Sequence, residues 1–310
     1  VKDTTARFSS YYVAKMLQRG YDFICCQSAG NGVYKDDKFA YAVDASNNGT
    51  FCPITVNNAV RTVKGVTPQD IVDRIIVVAA AKFNGYNTYE QARFSNGGSQ
   101  VSICAPGYSI YSTFYNGADS QSNHCAYRYL NGTSMAAPIV AGIASLVWSV
   151  NPSFTGAQVK HFVCDEENTK YEVADSSDKL HLPTGTMRMV NAQLAVEAAI
   201  KETENYGTVT GHLEWAKITP NKYIDFTVTN KNTDTVYRLM TDATGNFSAK
   251  LPAGEYILKL EGKKKTFTLS ENESIDIGSV RSVIATVDFD AVRDKMKDNM
   301  QEFLSKINIY

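Results

Sequence analysis

The 310-residue sequence is short of the features that define several protein classes. Its 6 cysteines are too few for a disulfide framework in a chain of this length, and no Cys-x-x-Cys pair or Cys/His spacing suggests zinc. Its 31 basic and 32 acidic residues give a net charge of −1, so no basic excess favours nucleic acid as a partner. With 20 glycines, 8 prolines and 44% hydrophobic residues, the composition is that of a folded globular protein.

The sequence also lacks an apolar run of the roughly 20 residues that cross a bilayer. Its longest run, residues 135–150, predicts a buried core helix and no membrane span. Residues 1–7 contain no basic and apolar segment of the kind that begins a secretory signal. We therefore expect the first residue to be an internal position of a longer polypeptide.

The length predicts two domains, or one large domain with an appendage, because 310 residues and 34.1 kDa exceed the usual size of one domain. Residues 1–203 are predicted to be α/β, because short apolar runs bounded by turn residues alternate with stretches of helical spacing. The predicted strands are 23–26, 74–81 and 101–105. The predicted helices are 9–18, a helix beginning near Ser134, and 191–201. The continuous apolar strand at 74–81 is typical of a parallel sheet buried on both faces.

The character of the sequence changes after residue 203. Residues 208–287 carry short alternating strands, among them 223–229 and 255–260, which predict a small antiparallel β-sandwich. Residues 288–310 have apolar side chains at intervals of three or four, which predicts an amphipathic C-terminal helix packed on the neighbouring domain.

The stretch with the most specific chemistry is residues 131–138, Asn-Gly-Thr-Ser-Met-Ala-Ala-Pro. Its serine, Ser134, lies where a loop becomes a helix, so the free N–H groups of the first helical turn can meet a developing negative charge. The small residues Gly132 and Ala136 allow a substrate backbone to approach closely. Taken alone, a serine at this position is usually a simple N-cap, and that interpretation remains open here.

This string resembles the active-site serine motif of the subtilisin-like serine proteases, Gly-Thr-Ser-Met-[Ala/Ser]-x-Pro. Other segments match the family in chain order over residues 8–201. These segments are Ser28-Ala29-Gly30-Asn31, Phe94-Ser95-Asn96, the Ala-Pro-Gly ending of 101–107, Asn151-Pro152, and Val190-Asn191-Ala192. The resemblance implies the C-terminal portion of a subtilisin-like catalytic domain that hydrolyses peptide bonds in a polypeptide substrate.

The resemblance also implies roles for particular residues. Ser134 would be the nucleophile that forms an acyl-enzyme. Asn31 would donate its side-chain amide to the oxyanion, together with the backbone N–H of Ser134. Ser28, Ala29 and Gly30 would form one backbone wall of the primary specificity pocket. Without Ser134, the cluster around Asn31 would be interpreted as an ordinary turn.

Two motifs of the family are missing from the 310 residues. The family order is Asp, then His, then Ser, but no Asp-[Ser/Thr]-Gly precedes Asn31 and no His-Gly-Thr occurs anywhere. The four histidines, His124, His161, His181 and His212, all follow Asn31. His124 is ten residues before Ser134, but no pattern supplies the carboxylate that would orient it as a base. We expect it to be a surface-loop histidine.

The chain alone is therefore expected to be inactive or nearly so, with the Asp and His carried by a further part of the catalytic domain. One alternative is a catalytically silent scaffold or binding protein of the same family. Another is an adhesive β-sandwich protein that carries a protease relic.

The family resemblance also implies an extracellular or cell-surface location and allows a structural calcium ion, although no Asp-rich loop marks a dedicated calcium site. No cofactor is expected. Residues 208–280 resemble transthyretin-like or carboxypeptidase-regulatory-like domains, whose mark is Thr-x-x-x-Gly-x-Phe followed by Leu-Pro-x-Gly-x-Tyr. They contain no catalytic cluster, so we expect a structural or surface-interaction role. Residues 263–265, three lysines, are expected to be a solvated hairpin edge.

Overall fold

The computed structural model describes residues 3–35, 38–40, 63–85, 88–115, 125–174, 187–214 and 223–282. The chain forms two compact units, Val1–Glu202 and Thr203–Tyr310. The helix predicted at 288–310 lies outside the described residues and stays a prediction.

The first unit is mixed α/β, which confirms the predicted class. Its helices are α1 (Asp3–Gln18), α2 (Pro68–Val72), α3 (Thr133–Val150), α4 (Gly156–Cys164) and α5 (Ala192–Glu202). Its strands are β1 (Cys25–Ser28), β2 (Val33–Lys35), β3 (Lys38–Ala40), β4 (Ile75–Gly85), β5 (Thr88–Gln91), β6 (Ile103–Pro106), β7 (Ile110–Tyr115), β8 (Cys125–Leu130), β9 (Tyr171–Ala174) and β10 (Met187–Met189).

The strand β4 is the centre of the main sheet. It pairs in parallel with β1, where Ser28 faces Val78, and with β6, where Val78 faces Ile103. The whole sheet has the order β1-β4-β5-β9-β10-β6, and the β4–β5 and β9–β10 pairs are antiparallel. The sheet is therefore mixed and not purely parallel. Its parallel part comes from the apolar run through Ala81, which is buried as expected.

Some strand boundaries differ from the predicted ones. β1 begins at Cys25, two residues later than predicted, because its parallel ladder starts opposite Ile75. Just before that ladder, Asp22 Oδ1 accepts a hydrogen bond from Arg74 Nε at 2.6 Å. β4 runs four residues beyond the predicted end because its polar extension pairs with β5, where Lys82 binds Glu90 at 2.9 Å.

The helix α3 packs on β1, β4 and β6. Its core face, Ala136, Val140, Ala144 and Val147, is fully buried. With 18 residues and a mean hydropathy of 1.6, α3 is also long and apolar enough to cross a membrane. A core helix meets the same two criteria, and the buried face agrees with the predicted core role.

The described residues of the second unit form two sheets around a common core. Its strands are β11 (Gly207–Glu214), β12 (Asp225–Asn230), β13 (Val236–Met240), β14 (Asn246–Leu251), β15 (Gly254–Leu260), β16 (Lys263–Leu269) and β17 (Ser274–Arg281). One sheet has the order β14-β11-β17 and the other β13-β12-β15-β16. Side chains such as Phe226, Leu251 and Tyr256 form the buried core.

Two expectations for this unit need correction. The unit is not wholly antiparallel. After β16 the chain passes to the other sheet, where β17 pairs in parallel with β11. The three lysines are not all solvated. Lys263 and Lys264 are exposed on β16, but Lys265 is half-buried and its Nζ donates to the carbonyl of Ile277.

Candidate active site

Two segments that are distant in sequence meet at the candidate site. The amide oxygen of Asn31 accepts hydrogen bonds from the backbone N–H and from the hydroxyl of Thr133, both at 3.0 Å. Both bonds hold the oxygen, and the amide nitrogen of Asn31 faces the turn before α3. If Gly132 carried a Cβ atom, that atom would lie 3.3 Å from the amide nitrogen. The structure thus brings Asn31 beside the first turn of the helix that carries Ser134.

Ser134 is the second residue of α3. The N-cap is Gly132, which makes no side-chain cap bond, so the interpretation of Ser134 as a simple N-cap is wrong. Ser134 is exposed, and within the described residues its hydroxyl and its N–H have no hydrogen-bond partner. Pro138 is four residues further on and has no N–H, so it gives the carbonyl of Ser134 no helical hydrogen bond. This end of α3 offers exposed polar groups to a ligand.

The end of β6 supports the turn before Ser134. Gly107 follows β6 and accepts a hydrogen bond from the N–H of Gly132 at 2.8 Å. A Cβ on Gly107 would lie 2.5 Å from the Cβ of Ala80 and 2.8 Å from the carbonyl oxygen of Gly132, so only glycine fits without displacement. The side-chain oxygen of Asn131 accepts from the N–H of Ser109 at 2.6 Å. The Ala-Pro-Gly segment therefore fixes the position of the serine turn.

The residues predicted to line the pocket follow the end of β1. Ser28 is the last residue of β1, and the N–H of Ala29 donates to Val78 at 2.8 Å. Asn96 binds the carbonyl groups of the next two residues. Its side-chain amide donates to the carbonyl of Ala29 and its backbone N–H to the carbonyl of Gly30, each at 2.9 Å. The backbone of this segment is held in place by one buried asparagine.

Sequence reasoning missed the supporting role of several polar residues. The buried hydroxyl of Ser95 accepts from the N–H of Ala80 at 2.9 Å, and Gln91 donates to the carbonyl of Ser95 at 2.8 Å. The motif around Ser134 contains Thr133, but the sequence does not indicate that Thr133 orients Asn31. The sequence shows that Ser95 and Asn96 are polar residues close to apolar strands. Only the structure shows that both are fully buried, and their burial is what marks them as supporting residues.

The described histidines have partners away from Ser134. His161 is on α4 and lies 3.3 Å from the carboxylate of Asp165, one turn later. His212 is in the second unit, where its ring nitrogen is 2.9 Å from the side-chain oxygen of Asn246. His124 and His181 lie outside the described residues, so the expectation for His124 stays a prediction.

The cysteines Cys25, Cys26, Cys104 and Cys164 are free thiols. Burial raises the pKa of Cys26, Cys104 and Cys164 to about 12, so at neutral pH these thiols are protonated and weakly nucleophilic. Among the residues that the structure describes, no three His, Cys, Asp or Glu side chains come together as metal ligands. The described residues therefore supply no carboxylate cluster for a calcium ion, and no step below involves one.

Comparison with known families identifies the class of protein. The model of the subtilase family matches residues 1–182, more than half of the chain. The chain belongs to the subtilase family, a serine peptidase family.

Curated relatives match shorter segments. An extracellular protease of Xanthomonas campestris pv. campestris is 37% identical over 109 residues, which are 35% of this chain and 18% of the relative. Subtilisin-like protease 1 of Plasmodium falciparum is 38% identical over 97 residues, 31% of this chain and 13% of the relative. Subtilisin E of Bacillus subtilis is 42% identical over 83 residues, 27% of this chain and 19% of the relative. The chain spans less than a fifth of the length of each.

Solved structures also resemble this chain in part. A protease of Pseudoalteromonas arctica is 24% identical with a TM-score of 0.42, over 61% of this chain and 46% of the other. The A-subunit of the AB5 toxin from E. coli is 21% identical with a TM-score of 0.42, over 64% of this chain and 58% of the other.

Proposed function

We propose that this chain is the C-terminal portion of the catalytic domain of a subtilisin-type serine endopeptidase. The observation that carries the proposal is the pair of 3.0 Å hydrogen bonds by which Thr133 orients Asn31 beside Ser134. A side-chain amide held by its oxygen directs both of its N–H bonds away from that contact, which suits the binding of a developing oxyanion.

In the proposed reaction, Ser134 Oγ attacks the carbonyl carbon of a peptide bond and loses its proton to a base. The tetrahedral oxyanion accepts hydrogen bonds from the Asn31 amide and from the Ser134 N–H. The carbon–nitrogen bond then breaks, the base protonates the amine that leaves, and an acyl-enzyme remains. Water hydrolyses the ester and restores Ser134.

The base and the carboxylate that orients it lie, in this proposal, outside the 310 residues. No His-Gly-Thr or Asp-[Ser/Thr]-Gly motif is present in the sequence, and neither described histidine contacts Ser134. A serine without a base is a weak nucleophile, so the chain alone is expected to be inactive or nearly so. Its partner would be the other part of its own catalytic domain.

The substrate is a polypeptide. The backbone of Ser28, Ala29 and Gly30 forms one wall of the pocket for the side chain before the scissile bond. Asn96 supports this assignment because its two hydrogen bonds hold the carbonyls of Ala29 and Gly30 in place next to Asn31.

An activity-based probe tests the proposal. The full gene product is treated with a fluorophosphonate, and the labelled residue is mapped by mass spectrometry. We expect labelling at Ser134, none in the Ser134→Ala variant, and only background labelling of the 310-residue chain by itself. A full gene product that is folded but leaves Ser134 unlabelled would contradict the proposal.

A catalytically silent scaffold is the second candidate. The specific observation in its favour is that the 310 residues contain neither of the other two catalytic motifs. Sequencing upstream of the gene segment separates the candidates, because Asp and His motifs there support the enzyme and their absence supports the scaffold. If the protein is instead an adhesin, deletion of residues 1–203 would leave its biological role intact.

The second unit is proposed to have an accessory role, structural or in surface interactions. Its two sheets and its turns before β14 and β15 support the likeness to transthyretin-like domains. An extracellular or cell-surface location is proposed by analogy with the relative named an extracellular protease. Fractionation of the producing cells tests this location.

A further inference from the structure

The hairpin before the nucleophile presents a row of tyrosines. β7 and β8 pair in antiparallel register, with Tyr111 opposite Tyr129 and Thr113 opposite Tyr127. Because side chains alternate along a strand, Tyr111, Tyr115, Tyr127 and Tyr129 share one face, which we name the tyrosine face. Their exposed fractions are 58, 70, 64 and 66% in that order. Large apolar side chains that are exposed together, and not singly, mark interaction surfaces.

Three of the tyrosine rings form a continuous surface. The centroid of the Tyr111 ring lies 4.7 Å from that of Tyr129 and 5.6 Å from that of Tyr127. The other described side chain on this face is that of Thr113, so none of the described side chains on the face is charged. Arg128 belongs to the opposite face, where it lies 5.0 Å from the Phe114 ring. The tyrosine face therefore suits an uncharged partner, since a charge desolvated here would have no counter-charge.

The hairpin also has backbone edges. Among the residues that the structure describes, β7 and β8 pair only with each other. In a two-stranded sheet each strand has an outer edge, whose N–H and C=O groups can pair with an added extended chain.

The position of the hairpin connects this surface to the candidate active site. β8 ends at Leu130, four residues before Ser134. The residue after β8, Asn131, accepts a hydrogen bond from the N–H of Ser109, the residue before β7, at 2.6 Å, so the two strands are held together next to the serine turn. A polypeptide that reaches Ser134 can therefore continue along the hairpin.

We propose that the hairpin binds an extended segment of the polypeptide substrate beyond the scissile bond, with aromatic or aliphatic side chains at alternate positions. The segment pairs with an outer edge of the hairpin, and its alternate side chains lie on the tyrosine face. This inference rests on the proposed protease function and names its preferred substrate. An uncharged oligosaccharide would stack on the rings, but only a polypeptide also matches the strand edges.

Peptide binding tests the proposal without the need for catalysis. The full 310-residue chain carrying Ser134→Ala is titrated into fluorescein-labelled peptides, and binding is followed by anisotropy. The first peptide has Phe at every second position and Ser or Thr between them. The second has the same composition with the Phe residues adjacent, and the third has Glu in place of Phe. We expect the first to bind at least about 10-fold more tightly than the others, since only it puts its rings on one face.

Variants then locate the binding surface. The triple variant Tyr111→Ser, Tyr127→Ser, Tyr129→Ser is expected to weaken binding of the first peptide about 10-fold or more, and the corresponding Tyr→Phe variant to retain it. Tyr12→Ser is the matched control, because Tyr12 is 58% exposed on α1 and not on the hairpin. Circular dichroism checks that each variant is folded.

Two results would overturn the proposal. One is equal binding of the first peptide by the triple serine variant and the parent chain. The other is that none of the three peptides binds, while an uncharged oligosaccharide binds saturably and its binding is lost in the triple serine variant. Failure of the protease function gives a different pattern, in which the peptide binds as expected and the fluorophosphonate leaves Ser134 of the full gene product unlabelled.

Discussion

At the scale of single residues, Thr133 has the most consequence for the proposed chemistry. The backbone N–H and the hydroxyl of Thr133 both donate hydrogen bonds to the amide oxygen of Asn31. The hydroxyl bond fixes the rotation of an amide whose nitrogen is proposed to bind the oxyanion. Thr133 is therefore a positioning residue, and its effect on the reaction passes through Asn31.

A valine at position 133 keeps the shape of the side chain and the backbone donor but removes the hydroxyl. A net hydrogen bond is worth about 1 kcal/mol, so Thr133→Val is expected to lower the kcat of the complete enzyme about 5-fold. Asn31→Ala should cost more, about 10²- to 10³-fold, a range measured for the corresponding asparagine in a subtilisin, which belongs to this same family. Steady-state kinetics with a peptide substrate measure both. An unchanged kcat with a raised KM for Thr133→Val would contradict the positioning role.

Gly107 is a second residue whose identity is dictated by close approach. Gly107→Ala would place a methyl group 2.5 Å from Ala80 and 2.8 Å from the carbonyl oxygen of Gly132. We expect a loss of about 1 to 3 kcal/mol in the free energy of unfolding, the usual cost of overpacking, and slower labelling of Ser134. Urea unfolding and probe kinetics measure the two effects.

The matched control is Gly142→Ala on the open side of α3. A Cβ there meets nothing within 4 Å, and alanine is the better helix former by about 1 kcal/mol. This variant should be as stable as the parent or more so. If Gly107→Ala were equally harmless, the end of β6 would not fix the serine turn.

At the scale of elements, α4 depends on its first residues. The hydroxyl of Thr155 accepts from the N–H of Gln158 at 3.3 Å, and the Gln158 side chain accepts from the N–H of Thr155 at 2.9 Å. This reciprocal capping box satisfies two donors that the helix itself leaves open. It sets where α4 starts after the turn that follows α3.

Removal of the cap is expected to destabilise the first unit. Thr155→Ala should lower the free energy of unfolding by about 1 kcal/mol, because the helix N-terminus loses its acceptor. Thr155→Ser retains the hydroxyl and should cost much less. Urea unfolding monitored by the fluorescence of Trp148, whose indole N–H binds Phe154 next to the cap, reports on this region. Equal losses in both variants would show that the methyl group and not the cap matters.

At the scale of the whole molecule, the two units have separate buried cores, so a change in one is expected to leave the unfolding of the other unchanged. Asp242, in the turn before β14, offers a test through pH. Hydrogen bonds from the side chain and backbone of Thr244 lower the pKa of its carboxyl group below the usual 3.8. A lowered pKa in the folded state adds stability that is complete above about pH 4 and is lost as the pH falls through the lowered value.

Calorimetry of the 310-residue chain and of its Asp242→Asn variant measures this contribution. We expect the variant to lower the Tm of one transition, with the largest difference above about pH 4 and a shrinking one below it. The other transition, from the first unit, should keep its Tm at each pH. A shift of both transitions together would contradict independent units.

The order of elements in the first unit was largely predictable from local patterns. The buried strand β4 follows from its continuous apolar residues, and α3 and α5 from helical spacing and the residues that precede them. The antiparallel extension of β4 and the parallel β11–β17 pair were not predictable, because each depends on a partner distant in sequence. The hairpin of β7 and β8 was missed because its exposed tyrosines give it no apolar alternation.

The sequence by itself determined the family, through the string around Ser134 and the ordered segments that match it, and it determined the absence of the other two catalytic motifs from these 310 residues. Only the tertiary structure decided that Asn31 lies beside Ser134, that Thr133 and Asn96 hold the two segments, and that four tyrosines share one exposed face. The reason is physical: residue types and local spacing are properties of the chain, whereas hydrogen bonds between segments about 100 residues apart exist only after the sheet has brought those segments together.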